Sequence, residues 1–380
     1  MKKIGIIGGG ISGLTLGCVL KGSGKECVIF ERSSALSEHG AGISLTPNAC
    51  KILDEIDILD AVRAESCSPL DIAWRDDQGN VIKKVNINEF GEVITSNRKV
   101  LINKLYEKFI NLGGEIKFNH ELLDIIKEKE LVFKNQENIS VDYIAGCDGI
   151  KSLIRTNKIK KDKITFSGYT AWRGIGSSDS KRINIYLGKN SHIVCYPVNE
   201  KLETSFIAIK KSKIKNNEGW REEGSHEDLL EDFSSYGSFI KSLFQSSKKV
   251  YKWGLFDRKS LNSFSSGNIT LLGDSAHPMM PFLGQGGAMA LEDAYIFGNL
   301  VNKSDDFNFI RNNYEKLRVG RTNAIKRSSR YQGYINHLGN PILKSLRNFM
   351  LKNTDIAMRR TKNIYCLLYT SPSPRDRTRS

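Results

Sequence analysis

The segment spanning residues 3–31 restricts the fold more than any other. Lys3 to Ile7 is a short apolar run of β type, Gly8-Gly9-Gly10-Ile11-Ser12-Gly13 follows at once, and Leu14 to Lys21 continues with helical character. The G-x-G-x-x-G spacing lets Gly8 and Gly10 form a tight turn that brings backbone close to a diphosphate, and Gly13 lets the helix pack closely. The helix start, with Ser12 in its first turn, offers free N–H groups and a positive dipole end. A second apolar run, Cys27 to Phe30, ends in Glu31, 18 residues after Gly13, where a carboxylate accepts hydrogen bonds from a ribose diol. The pattern predicts an α/β unit of Rossmann type that binds a dinucleotide. By itself it leaves NAD and FAD open and disfavours a 2′-phosphate beside Glu31; the bland alternative is a glycine-rich turn that binds nothing.

Composition narrows the class without choosing a function. A chain of 380 residues with 39% apolar and 26% charged residues folds around a substantial core and has material for two or three domains. The opening Met1-Lys2-Lys3 and its apolar run break at Gly8 with no cleavage site, and no stretch of about 18 apolar residues occurs. The expectation is a cytoplasmic protein without a membrane span. Seven cysteines are scattered with no C-x-x-C pair, so neither a disulfide framework nor a metal site is expected. The net charge of +15 comes from lysines interleaved with acids along the chain, and no nucleic-acid partner is expected.

Two later segments carry chemistry of their own. Tyr143 to Cys147 reads as a strand that delivers Asp148-Gly149, followed by a short helix with Ser152 and Arg155. Ile269 to Leu272 delivers Gly273-Asp274 to a strand end, where the Asp274 carboxylate can accept a hydroxyl. Pro281-Phe282-Leu283-Gly284-Gln285-Gly286-Gly287 then opens a helix whose Ala288, Leu291, Ala294, Tyr295 and Gly298 share one face. Together these segments resemble, in order, the three nucleotide motifs of the class A FAD-dependent monooxygenases, the aromatic-ring hydroxylases, closest to their salicylate-hydroxylase-like and urate-hydroxylase-like branch. The stretch Gly40-Ala41-Gly42-Ile43-Ser44-Leu45-Thr46-Pro47-Asn48 resembles that family's loop past the flavin, with Thr46 capping the helix after it, and Arg98 opens a further helix at a position where the family has a cofactor contact. The resemblance implies non-covalent FAD held by Gly8, Gly10, Ser12, Gly13, Glu31, Arg32, Gly42, Arg98, Asp148, Asp274, Pro281, Gly284, Gln285, Gly286 and Gly287. Arg155 is open between a cofactor role and a salt bridge. One departure is Gly287-Ala288-Met289, where many members have a small residue and then Asn.

The fold expected is α/β, a Rossmann-type FAD-binding domain contributed discontinuously by residues 1–70, 98–165 and 265–305. An antiparallel β-sheet substrate domain is inserted from 71–97 and 166–264, and residues 306–365 form C-terminal helices. Short β-type runs with Gly, Asn, Asp and Lys between them support the inserted sheet. In the run His192-Ile193-Val194-Cys195-Tyr196, alternation puts His192, Val194 and Tyr196 on one face, as candidates to help ionise a phenol. Arg173, in Gly168-Tyr169-Thr170-Ala171-Trp172-Arg173, is open between binding a substrate carboxylate and bracing the sheet. The resemblance further implies NAD(P)H as a transient co-substrate, dioxygen, and hydroxylation of a small aromatic or heteroaromatic substrate via a flavin hydroperoxide. An epoxidase, a prenyl-chain reductase and a non-catalytic FAD-dependent binding protein are the alternatives. The last segment, 366–380, has no apolar periodicity and resembles a translated sequencing adapter, so it is expected to lie outside the natural protein.

Overall fold

The computed structural model describes residues 2–36, 42–134, 136–213 and 222–365. Two of the expectations above, the start of the loop at Gly40-Ala41 and the adapter-like segment 366–380, lie outside the described residues.

Four fully apolar or small-residue runs build the first sheet. Ile4–Ile7, Cys27–Phe30 and Tyr143–Gly146 are buried along their whole length, as is Ile269–Leu271. Strands buried on both faces read as continuous apolar runs and pair in parallel, and these do: Ile4 lies opposite both Cys27 and Tyr143, and Ile144 opposite Ile269. Glu115–Lys117 extends the sheet beyond Cys27–Phe30, and Ser265–Ser266 closes the other edge antiparallel. Ile4–Ile7 sits where strand order reverses, which places Gly8 to Gly13 at the crevice where α/β sheets bind ligands. The helices Ile11–Gly22, Arg98–Asn111 and Gly286–Lys303 cover one face. A three-stranded antiparallel sheet, Leu122–Ile126, Glu130–Phe133 and Ile139–Ser140, covers the other, with Phe133 against Phe30 at 4.9 Å between ring centres.

The second sheet has eight strands, drawn from Asp71–Asn86 and Thr165–Asp257. It is antiparallel with one exception: Ile183–Leu187 pairs in parallel with Asp71–Asp76. The antiparallel sheet expected from residues 71–97 and 166–264 is present, and this one pair departs from it. The two strands come from different excursions out of the first sheet, so no hairpin fixes their relative direction. Helices His226–Asp232 and Ser238–Gln245 bury one face of this sheet around Trp172, Phe206 and Phe244. The opposite face looks toward the first sheet. Three helices, Phe307–Asn336, Pro341–Asn353 and Ile356–Tyr365, complete the chain as described. Among the described residues no helix is long and apolar enough to cross a membrane, and no group of three metal-ligating side chains forms.

Candidate active site

The fingerprint turn has one closed side and one open side. Gly8 has φ +108°, and a Cβ there would meet the Cys147 carbonyl oxygen at 2.4 Å, while a Cβ on Gly13 would meet the Gly8 carbonyl oxygen at 2.0 Å. Neither position accepts a larger residue. A Cβ on Gly10 would meet nothing within 4 Å, and the same holds at Gly284 and Gly286 across the crevice. The turn is therefore packed tight against the protein and left open toward the crevice, as a backbone that receives a diphosphate must be. The Glu31 carboxylate accepts from the Gly9 N–H at 2.8 Å and from the Ser33 N–H at 2.9 Å, which fixes it beside the turn.

A cavity of about 780 Å³ runs from this turn to the substrate sheet. Its walls bring together Gly10, Ser12, Gly42, Arg98, Asp274, Pro281, Gly284, Gly286 and Gly287, together with Arg173 and Tyr196 from the second sheet. The Asp274 carboxylate opens into the cavity, and the protein around it raises its pKa, with His277 and then Arg98 working in the opposite direction. Gly42 donates its N–H to Ser205 Oγ at 2.9 Å, and a Cβ there would strike Ser205 and Tyr196. The close approach that this glycine permits is thus to the substrate sheet of the same chain.

Other expected residues stand off the cavity. Gly8 and Gly13 are structural elements of the turn. Glu31 and Arg32 do not form the wall, and Asp148 turns inward, accepting from the Leu153 and Ile154 N–H groups while burial raises its carboxyl. Gln285 is buried and spans to Thr46 Oγ1 at 3.1 Å. Thr46 does occupy the cap position of Pro47–Glu55, but its hydroxyl donates to Asn48 Oδ1 at 2.7 Å instead of capping. Arg155 is a buried brace: it pairs with Asp162 at 2.6 Å and donates to the Ala276 and Lys259 carbonyls, holding the turn after Asp274.

His192 requires the plainest correction. It shares the strand face of Tyr196, yet it is fully buried and does not form the cavity wall. His337, at the end of Phe307–Asn336, covers it, with Nδ1 of His192 at 2.8 Å from Nε2 of His337, and Phe282 packs beside both rings. Burial, then His337 and Arg347, push the His192 pKa well down. An imidazole held neutral and away from the cavity has no access to a substrate phenol. Burial likewise pushes the Tyr196 phenol up, so it meets the cavity as a protonated hydroxyl. Arg173 stands between Tyr251 and Trp253, its guanidinium carbon 5.6 and 5.2 Å from their ring centres. No histidine and no glutamate is found among the described residues of the wall.

Sequence reasoning missed a buried ionic cluster behind the cavity. Asp293 accepts from the Gly273 N–H at 2.8 Å, from His277 at 2.5 Å and from Arg318 at 2.6 Å. Its neighbour Glu292 accepts from Arg318 at 2.5 Å, from Arg321 at 2.7 Å and from Asn48 at 2.7 Å. One pair of acids thereby joins the turn before Asp274, the helix after Pro47 and the long C-terminal helix. The available signal was a Glu-Asp pair set between Leu291 and Ala294 in an otherwise apolar helix face.

A switch point, a strand-end carboxylate and a glycine-started helix that all open onto one elongated cavity suit a dinucleotide that carries a redox ring, so the fold and site are those of a nucleotide-dependent oxidoreductase. The family described as FAD binding domain matches residues 1–303, and the chain belongs to it; FAD is its cofactor. The chain is 29% identical over 364 residues to 3-amino-4-hydroxybenzoate 2-monooxygenase of Streptomyces platensis, covering 91% of each. It is 27% identical over 366 residues to 3-hydroxybenzoate 6-hydroxylase of Klebsiella oxytoca, again covering 91% of each. In three dimensions it matches Klebsiella pneumoniae HpxO, solved with FAD and uric acid, at a TM-score of 0.85 and 20% identity, over 96% of each chain.

Proposed function

We propose that the protein is an FAD-dependent monooxygenase that uses NAD(P)H and dioxygen to hydroxylate an aromatic or heteroaromatic ring. The observation that carries this reading is the single cavity in which the open glycine turn, Asp274 and the Gly286–Lys303 helix start face Arg173 and Tyr196 across a largely apolar space. FAD, when bound, would supply the redox and oxygen-transfer chemistry.

The chain's own residues have four tasks. Gly10 and the N-terminus of Ile11–Gly22 receive the diphosphate, Asp274 accepts a ribityl hydroxyl, and Gly286 and Gly287 present helix N–H groups to the flavin ring edge. Ile72, Trp74, Ile185 and Val194 exclude water from the ring side. Of the three candidates, Arg173 and Tyr196 reach the cavity and His192 does not. Held between Tyr251 and Trp253 on the wall, the Arg173 cation stabilises developing negative charge on a substituent oxygen of the ring, and Tyr196 donates a hydrogen bond to it.

The test is NAD(P)H oxidation by holoprotein across hydroxybenzoates, aminohydroxybenzoates, hydroxypyridines and purines, with and without dioxygen, with product mass. Substrate-stimulated, oxygen-dependent turnover with a product one oxygen heavier is expected. Turnover that persists without oxygen, or no effect of any ring compound, would overturn the assignment.

A further inference from the structure

The helix Pro341–Asn353 hides almost nothing. Of its thirteen residues Arg347 alone is buried, and Ile342 is 76%, Phe349 65% and Leu346 52% exposed. A surface helix normally turns its apolar stripe inward. This one is held by polar links at its two ends and, from its middle, by Arg347, whose guanidinium donates to the Ile335 and Asn336 carbonyls at 3.3 Å. Asn340 caps its start by accepting from the Ile342 N–H at 2.9 Å, and Lys344 pairs with Asp77 at 3.5 Å. Beyond its other end Lys83 donates to the Thr354 carbonyl at 2.7 Å and pairs with Asp355 at 3.3 Å. The helix is thus strapped to the hairpin of the substrate sheet, with its aliphatic side chains left uncovered.

Leu343, Leu346 and Met350 also form part of the wall of the cavity that contains Arg98, Asp274 and Arg173. The cavity therefore has two chemically unlike ends. Near the nucleotide turn the wall carries charge and hydroxyls; at this helix Leu343, Leu346 and Met350 make it aliphatic and partly exposed, beside Arg347, whose guanidinium is taken up by the Ile335 and Asn336 carbonyls. A contiguous exposed apolar patch at the mouth of a pocket marks a place where ligand surface is buried. With FAD taking the nucleotide end, the remaining space in this one cavity is lined by Arg173 and Tyr196 and, farther out, by Leu343, Leu346 and Met350, and a single molecule with a polar ring substituent at its inner end and an apolar outer end fits it.

We infer that the substrate is an aromatic ring bearing a long apolar side chain, alkyl or isoprenoid, which leaves the ring pocket along Pro341–Asn353 and covers Leu343, Leu346 and Met350. This rests on the ring-hydroxylase reading above and specifies its substrate class. A bare benzoate leaves those three side chains in water.

The experiment titrates the FAD holoenzyme with 2-alkyl-4-hydroxyquinolines and with n-alkyl esters of 3-hydroxybenzoate, chain lengths one to nine, reading Kd from the flavin spectrum. Burial of each methylene is worth up to a factor of about 4 in affinity, so Kd is expected to fall about two- to fourfold per carbon over the first several carbons. Leu346→Gln and Met350→Gln, at exposed positions that leave FAD content and melting intact, are expected to flatten that slope, each variant's methyl member being the reference. Kd values independent of chain length, or an equal slope in both variants, would overturn the inference. So would a dimer that Leu346→Gln dissociates, or sedimentation with anionic phospholipid vesicles, if either appears without chain-length dependence, for the face would then be an interface. Oxygen-dependent turnover of the methyl members without chain-length dependence removes only the tail. Tight binding of the long members with no ring oxygenation leaves the tail and removes the monooxygenase.

Discussion

Replacing Arg318 by Met tests whether the buried acids hold the cofactor turn in place. The change leaves Asp293 with the Gly273 N–H and His277, and Glu292 with Arg321 and Asn48. Removing one partner of a buried ion pair costs about 3–5 kcal/mol, and because Glu292 keeps a second guanidinium the lower end is expected, about 3 kcal/mol. Unfolding 380 residues at about 2.1 cal/mol/K each gives roughly 0.8 kcal/mol/K, so Tm should fall by about 4 °C at pH 7.5. The pH dependence carries the sign. Burial raises the Asp293 carboxyl, but His277 and Arg318 outweigh it and hold the pKa near 2, below the ordinary 3.8. Its contribution in the native protein, on the order of 2 kcal/mol, is therefore fully present above pH 4 and lost only as pH falls toward 2. Without Arg318, burial has less to oppose it and the carboxyl titrates at milder acidity. Protonation then relieves the uncompensated charge, so the deficit should be smaller at pH 5 than at pH 7.5. Calorimetry of the holoprotein with excess FAD at pH 7.5 and 5 measures both. A fall below about 1 °C, or the same deficit at both pH values, would refute the account.

Three further outcomes are expected. Asp274→Ala should raise the Kd for FAD about 10- to 150-fold, the loss of one charge-assisted hydrogen bond of about 1.5–3 kcal/mol, measured by flavin fluorescence; an unchanged Kd makes Asp274 a turn residue. Gly10→Ala and Gly13→Ala should separate: the first, with open space around its Cβ, should fold and bind FAD poorly, while the second, meeting backbone oxygen at 2.0 Å, should fail to give stable protein. If Gly10→Ala binds FAD normally, the open side of the turn is not the diphosphate cradle. Burial holds the His337 pKa down at about 4 and that of His192 well below its ordinary value, so stability is fully present above pH 6.5 and is lost as pH falls toward 4. The slope approaches about 1.4 kcal/mol per pH unit for each imidazole, and should vanish in the His192→Phe, His337→Phe double variant if these two groups cause it.

The parts of the site that were legible in the sequence are those whose geometry is local. The spacing of Gly8, Gly10 and Gly13 is dictated by one turn and the helix after it. The strand ends at Gly146 and Leu271 follow from short buried runs. What was not legible depends on a partner far along the chain. Alternation correctly placed His192 with Tyr196, but nothing in residues 191–197 says that His337 covers the imidazole. Arg155 meets Asp162 and two distant carbonyls, and the buried polar stripe Arg318, Thr322, Lys326 and Ser329 reads as a solvated helix face until Met280, Arg258 and Asp293 are brought against it. The parallel pairing of Ile183–Leu187 with Asp71–Asp76 is invisible for the same reason.

That parallel pairing governs how the enzyme can be re-engineered. The substrate sheet is stitched from two stretches, Asp71–Asn86 and Thr165–Asp257, whose seam is five residue pairs from Ile183↔Ile72 to Leu187↔Asp76. A graft that transplants only the longer stretch from a relative replaces one side of this seam and leaves the other, so every side-chain match across it becomes foreign. Trp74 and Ile185, opposite each other at its centre, both line the ring side of the cavity, and a mismatch there would reshape the pocket the graft was meant to transfer. Recombination of substrate preference in this chain has to move both stretches together, even though 78 residues separate them in sequence.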